Sequence, residues 1–170
     1  MSEKTSKILR NDFVSFMMNT IKDPDIDCKL VGGAVIDILE GREPKDYDLI
    51  DHYGVDRILL GNKFKIKSRT KYADTYDNGS WIVQLLKTKP KDFDFTISQS
   101  SFMFTRRRLN IDEYAFDNKA LLPVSFEAEN AANSLARLPK WYSKGYKIDI
   151  TTYLSLVSVA TNVKIVNFNS

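Results

Sequence analysis

Asp46-Tyr47-Asp48 is the segment of this chain best suited to do chemistry. In an extended strand, residues i and i+2 project to the same side. The two carboxylates then lie together, while Tyr47 and Leu49 point the other way. Adjacent carboxylates repel each other unless a cation compensates. Mg²⁺, which takes carboxylate oxygens together with phosphate oxygens, is the natural cation, with Mn²⁺ as the alternative. Ions held in this way activate a hydroxyl or water and stabilise leaving pyrophosphate in an in-line displacement. Upstream stands Gly32-Gly33, where a short apolar strand, Leu30-Val31, runs into a helix from Ala34 to Leu39. Paired glycines let the backbone approach a ligand closely, and the N–H groups at a helix start attract phosphate. Taken singly, a Gly-Gly is a tight turn and an Asp-x-Asp a solvated loop. The two at this spacing, with an apolar strand after them, are far less common.

These groups must be held by regular elements. Ile8, Leu9, Phe13, Phe16, Met17 and Ile21 recur at helical spacing and predict a helix over about 7–21, stopped by Asp23-Pro24-Asp25. Gly41 closes the helix after the glycine pair, and Tyr47 to Ile50 reads as a strand. Val55 to Leu60 reads as a short helix, and Phe64–Lys67, Trp81–Leu86, Phe93–Ile97 and Phe102–Thr105 as strands. Thr70 to Ser80 is a polar stretch with Asn78-Gly79 as a turn signal. Residues 111–126 carry no clear pattern. Helices follow over about 127–144 and 149–162, separated by Gly145. The fold class is α+β: a mixed sheet of about five strands flanked by helices, with helices gathered at the C-terminus. The division read from this pattern is a head over 1–126 and a helical segment over 127–170 packed on it.

Ten Phe, eight Tyr and two Trp among 43% hydrophobic residues are enough for a real core and exclude a disordered chain. The net charge of +3 permits a polyanionic partner without demanding one. A single cysteine, Cys28, excludes an internal disulfide and a cysteine-built zinc site, and reads as a small buried hydrophobe. The single histidine, His52, excludes His-rich metal sites and reads as structural. The polar start, Met1 to Asn11, lacks the apolar stretch of a secretory leader. No apolar run approaches the roughly 20 residues that span a bilayer. The expected setting is cytoplasmic, with no membrane partner.

Residues 30–51 resemble the head domain of tRNA nucleotidyltransferases (CCA-adding enzymes) and bacterial poly(A) polymerases, within the DNA polymerase beta-like superfamily. The shared pattern is an apolar strand, Gly-Gly, an Arg-Asp pair in the helix, Leu-Gly, a short loop and Asp-x-Asp. Asp37 is present, and Ile36 stands where the family carries arginine. Asp94-Phe95-Thr96-Ile97-Ser98 is similar to the family's Arg-Arg-Asp-Phe-Thr-Ile-Asn strand, with Asp92 and Phe93 in place of the two arginines. Ser134 to Trp141, with Lys144-Gly145-Tyr146, resembles the helix joining head to neck, and there Arg137 matches an arginine placed near the nucleotide. Small phage-encoded nucleotidyltransferase-like proteins carry a similar Phe-Asp-Phe-Thr strand and are closer in size.

The resemblance implies a nucleotidyltransferase fold and transfer of a nucleotide from an NTP to a hydroxyl, with an RNA 3′ end of tRNA-like form as acceptor. It implies metal binding by Asp46 and Asp48, a nucleotide pocket involving Gly32, Gly33, Asp37 and Arg137, and a third acid from a neighbouring strand. Asp94 is the expected third catalytic carboxylate, on a strand whose acids face one side and phenylalanines the other. Asp92 is the alternative. On the preceding strand the polar inward candidate is Gln84. Arg106-Arg107-Arg108 fits either a phosphate site or a solvated turn. Lys140, Lys144 and Lys147 with Tyr142 fit either an RNA face or a soluble surface. Two further functions stay open: a catalytically degenerate module that binds nucleotide or protein, and a toxin-like transferase acting on a protein or small molecule.

Overall fold

The computed structural model describes residues 2–89 and 93–169, with side chains to 161. The chain folds as two compact units. Met1–Thr88 and Ser100–Asn110 form one, and Lys89–Gln99 and Ile111–Ser170 the other.

The first unit is a seven-stranded mixed sheet with helices. Its elements are α1 (Glu3–Leu9), α2 (Asp12–Thr20), β1 (Lys29–Val31), α3 (Gly33–Leu39), β2 (Tyr47–Ile50), α4 (Val55–Leu60), β3 (Lys65–Arg69), β4 (Ala73–Asp77), β5 (Ile82–Leu86), β6 (Ser101–Met103) and β7 (Arg108–Asn110). The strand order is β3-β4-β5-β2-β1-β6-β7. Only the β2–β5 pair is parallel, and the other pairs are antiparallel.

The single helix expected over 7–21 is two. Asn11 caps the second, its side chain accepting from the Val14 N–H at 3.0 Å. An Asn that bonds its own backbone breaks a helix and restarts it. The break lets Ile8, Phe13, Val14 and Met17 all reach the core. The polar stretch 70–80 holds strand β4, which pairs with β3 on one side and β5 on the other and is followed by the turn at Asn78-Gly79. Sequence patterning does not reveal it because Tyr76 is its one buried residue. Strand β3 is exposed along its whole length, and its Lys65, Lys67 and Arg69 keep a sheet edge from pairing with other chains.

The second unit holds a 3₁₀ turn at Thr96–Gln99, α5 (Glu113–Asn118), α6 (Ala128–Tyr142) and α7 (Ile150–Asn169). Residues 93–97 are not the strand expected from their aromatic alternation. They make one isolated bridge, Phe95 with Pro123, and then turn. Asp94 and Phe95 are both buried, so the segment has no solvent face to alternate against. Helix α5 lies in the stretch that carried no pattern. It starts at Asp112, which accepts from Ala115 N–H at 3.1 Å, and ends at Lys119 in the left-handed region. Helices α6 and α7 pack together, burying Trp141, Leu156 and Ala160. No helix among the described residues is long and apolar enough to cross a membrane.

Two expectations follow. Phe13 is fully buried against Tyr47, Trp81 and Phe104. Phe13→Ala therefore costs about 3–5 kcal/mol in urea unfolding. Burial, reinforced by the Asp51 charge, pushes the Cys28 thiol far above its ordinary range. The unfolded chain can ionise this thiol above about pH 8.5 and the folded chain cannot. Stability should thus fall as pH rises through that value, and Cys28→Ala should flatten the fall in urea midpoints.

Candidate metal and nucleotide site

Strand β2 is fixed from behind. Tyr47 is 2% exposed, its ring stacked on Phe13 at 4.1 Å between centroids, and its hydroxyl accepts from Asn11 Nδ2 at 3.3 Å. Burial raises the Tyr47 pKa above the ordinary phenol value. Leu49 is fully buried on the same side. Alternation then turns Asp48 to the opposite face of the sheet, and Asp46 directly precedes the strand; both are half-buried. On that face Asp48 has Val31 of β1 as its register neighbour on one side and Gln84 of β5 on the other. Thr75 of β4 is next to Gln84. The row Thr75–Gln84–Asp48 is half-buried and polar, and the row behind it, Tyr76–Val83–Tyr47, is buried.

The Asp46 carboxylate makes no hydrogen bond or ion pair with another described residue, and Asp48 Oδ1 is shielded from solvent. No group of three or more His, Cys, Asp or Glu side chains placed to hold a metal exists among the described residues. Among the described residues, the donor set is two carboxylates and oxygen-only. It fits a hard divalent cation that keeps water and phosphate oxygens in its remaining positions, as Mg²⁺ does.

The glycine pair sits where the sequence puts it, between β1 and α3. Gly32 has φ 76° and ψ −146°, a conformation open to glycine and strained for other residues. Its N–H donates to Ser100 O at 3.2 Å and its carbonyl accepts from Val35 N–H at 3.2 Å. Ile36 is fully buried, so the family's arginine position is a core position here. The Asp37 carboxylate accepts from Arg42 Nε at 2.9 Å, and Arg42 Nη2 reaches Glu40 at 2.6 Å.

Asp94 and Arg137 belong to the second unit. Asp94 is 5% exposed. Its Oδ1 accepts from Phe95 N–H at 2.7 Å and Ser98 Oγ at 2.5 Å, and its Oδ2 from Trp141 Nε1 at 3.0 Å. Ser134 Oγ donates to its backbone carbonyl at 3.1 Å. Exposed Arg137 places Nη1 4.0 Å from Asp94 Oδ2. The structure thus brings Asp46, Asp48, Gly32, Gly33 and Asp37 into one unit, and Asp94 and Arg137 into the other. Asp92 lies outside the described residues.

The remaining candidates are spread out. Arg106, Arg107 and Arg108 are exposed, Arg107 in a left-handed turn and Arg108 in β7, with Arg106 Nη2 3.8 Å from Asp27 Oδ1. Lys140 and Lys144 lie over the Trp141 ring at 5.6 and 5.3 Å. His52 Nε2 is 2.7 Å from Leu86 O. A carbonyl only accepts, so that nitrogen carries the proton. A cleft of about 620 Å³ opens in the first unit, lined by Asp51, His52, Asp56, Arg57, Arg69 and Asp74 among others. Its lining includes neither Asp46 nor Asp48. Sequence reasoning missed Thr75, because nothing in a polar stretch betrays a strand with a single buried residue.

The fold resembles that of solved CCA-adding enzymes. No protein-family model matches the chain, and no curated protein does. Solved structures match at low identity. The Thermotoga maritima CCA-adding enzyme complexed with tRNA_CCA is 13% identical, with a TM-score of 0.72 over 95% of this chain and 46% of that one. A CCA-adding enzyme with ATP is 15% identical, with a TM-score of 0.73 over 96% of this chain and 47% of that one. Another complex, with CTP, is 16% identical, with a TM-score of 0.66 over 89% and 43%. The chain spans less than half the length of these proteins.

The bonding of Asp94 gives a test of its role. Asp94→Asn sets an amide against either the Trp141 N–H or the Ser98 and Phe95 donors, leaving buried donors facing a donor. The expected cost is about 1–3 kcal/mol in urea unfolding. Unchanged stability with lost transferase activity would instead favour the catalytic role expected from sequence.

Proposed function

We propose that the chain is a metal-dependent nucleotidyltransferase that moves a nucleotide from an NTP to a hydroxyl, with an RNA 3′ end as acceptor. The observation that carries this reading is the pair of half-buried carboxylates at the start of β2, Asp46 just before the strand and Asp48 within it, in a fold shared with CCA-adding enzymes. Asp46 and Asp48 hold Mg²⁺ or Mn²⁺ through carboxylate oxygens. The bound cation supplies Lewis-acid stabilisation of charge on the triphosphate. The Gly32-Gly33 backbone lies against the phosphates, where a side chain would obstruct approach. Asp37, bonded to Arg42 just past the end of α3, belongs to the same nucleotide pocket. Arg137 holds the base or a phosphate.

In the reaction, the acceptor hydroxyl oxygen bonds to the α-phosphorus and the α–β bridging P–O bond breaks. Pyrophosphate leaves, and the hydroxyl proton passes to solvent. Asp94 enters this scheme as the anchor that joins the turn at Thr96–Gln99 to α6 through Ser98 and Trp141, and so sets the position of Arg137. The setting proposed is the cytoplasm, where NTP and RNA are both at hand. A second reading, a nucleotide-binding module without catalysis, draws on buried Ile36 in the place of the family's arginine.

The test incubates the purified protein with each labelled NTP, Mg²⁺ or Mn²⁺, and total RNA, with a protein extract as a parallel acceptor. Label should enter RNA, and Asp46→Asn or Asp48→Asn should lower incorporation at least about 100-fold, since even loss of an outer-shell partner costs 10–100-fold. Label in protein alone would move the acceptor to the toxin-like class. No label, with metal-dependent NTP binding intact in calorimetry, would establish the binding module.

A further inference from the structure

Asp48 has two cross-strand neighbours on its face of the sheet. One is Val31, which has no ligand atom, and the other is Gln84. Neighbouring strands lie about 4.8 Å apart, and register partners share a face. The Gln84 side chain therefore stands beside the Asp48 carboxylate. The alternation in β5 agrees: Val83 and Leu85 are buried, and Ile82, Gln84 and Leu86 are half-exposed. No hydrogen bond or ion pair to another described residue engages the Gln84 carboxamide. A half-buried amide with no partner among the described residues, beside a carboxylate, is available to a ligand.

We propose that Gln84 fills the third protein position of the Asp46–Asp48 cation site with a neutral carboxamide, so that the chain takes its divalent cation as a metal–nucleoside triphosphate complex and holds the free ion weakly. The inference rests on the metal site of the preceding section and deepens it. A cation at this site meets two protein charges. No further acid among the described residues joins them, since these contain no cluster of three acidic, His or Cys side chains placed to bind a metal. The carboxamide oxygen is a ligand of the right hardness without charge, and its N–H groups can donate to a phosphate oxygen. Binding free Mg²⁺ also requires stripping part of a tightly held water shell. Two carboxylates offset that cost poorly, whereas an incoming triphosphate brings the ion with its charge already partly met. The substrate is then the metal–NTP complex, and free metal binding before nucleotide is minor.

The test is a Mn²⁺ titration read by the electron paramagnetic resonance of the free ion, with and without a non-hydrolysable ATP analogue. The wild-type chain should bind Mn²⁺ at least about tenfold more tightly in the ternary mixture than either protein or analogue accounts for alone. Gln84→Glu should tighten nucleotide-free Mn²⁺ binding at least about tenfold, because a third charge beside Asp48 deepens the attraction. It should also melt lower than wild type in EDTA, from carboxylate repulsion, and gain more in Tm on addition of Mn²⁺. Tight nucleotide-free binding by the wild type would overturn the proposal. So would a Gln84→Glu chain whose affinity and Tm shift match wild type while Asp48→Asn abolishes binding. If wild type, Asp46→Asn and Asp48→Asn bind Mn²⁺ alike with and without the analogue, it is the metal site itself that fails.

Discussion

Tyr47 and Leu49 can be buried on one side of β2 only if Asp48 faces the other. Asp46 directly precedes this four-residue strand, and a slip of one residue would put Asp48 in the core. What prevents the slip is the seat of Tyr47: stacked on Phe13, bonded to Asn11, and flanked by Val83 on the parallel neighbour β5. The packing of α2 against the back of the sheet is thus the force that presents two like charges together at the front. The repulsion between those charges is a cost that packing alone sustains, and it is relieved when a cation sits between them.

Around that strand the sheet carries one buried and one half-buried row. The buried row runs through Tyr76, Val83 and Tyr47, and the open row through Thr75, Gln84 and Asp48. The glycine pair enters at the end of β1, where Gly32 adopts a backbone conformation that other residues adopt only under strain. Neighbours of the same fold carry nucleotide or tRNA, yet are more than twice as long and only 13–16% identical. Fold likeness at that level says how the scaffold is built, and the acceptor has to be argued from this chain's own residues.

Much of the site's frame was legible in sequence, because the signals were local. A strand–Gly-Gly–helix turn and an Asp-x-Asp strand depend on neighbours along the chain, and both lie where the residue pattern puts them. The parts that escaped were those decided by tertiary partners. Strand β4 exists because it completes hydrogen bonds to β3 and β5, and its own composition gives no hint. The aromatic run around Asp94 had the alternation of a strand, but both of its faces are buried, and the chain turns there to satisfy a carboxylate with Ser98 and Trp141. The Asn11 break in the first helix was visible as a residue type and lost in the helical spacing on either side. Gln84 was legible as an inward polar residue, while its pairing with Asp48 required the parallel register of β2 and β5.

The most direct measurement is anomalous scattering from Mn²⁺ in crystals grown with Mn²⁺ and a non-hydrolysable NTP. The account predicts a peak bonded to carboxylate oxygens of both Asp46 and Asp48 at about 2.1 Å, with triphosphate oxygens completing its shell. Nucleotide bound elsewhere, with no anomalous peak at these two carboxylates, would contradict it.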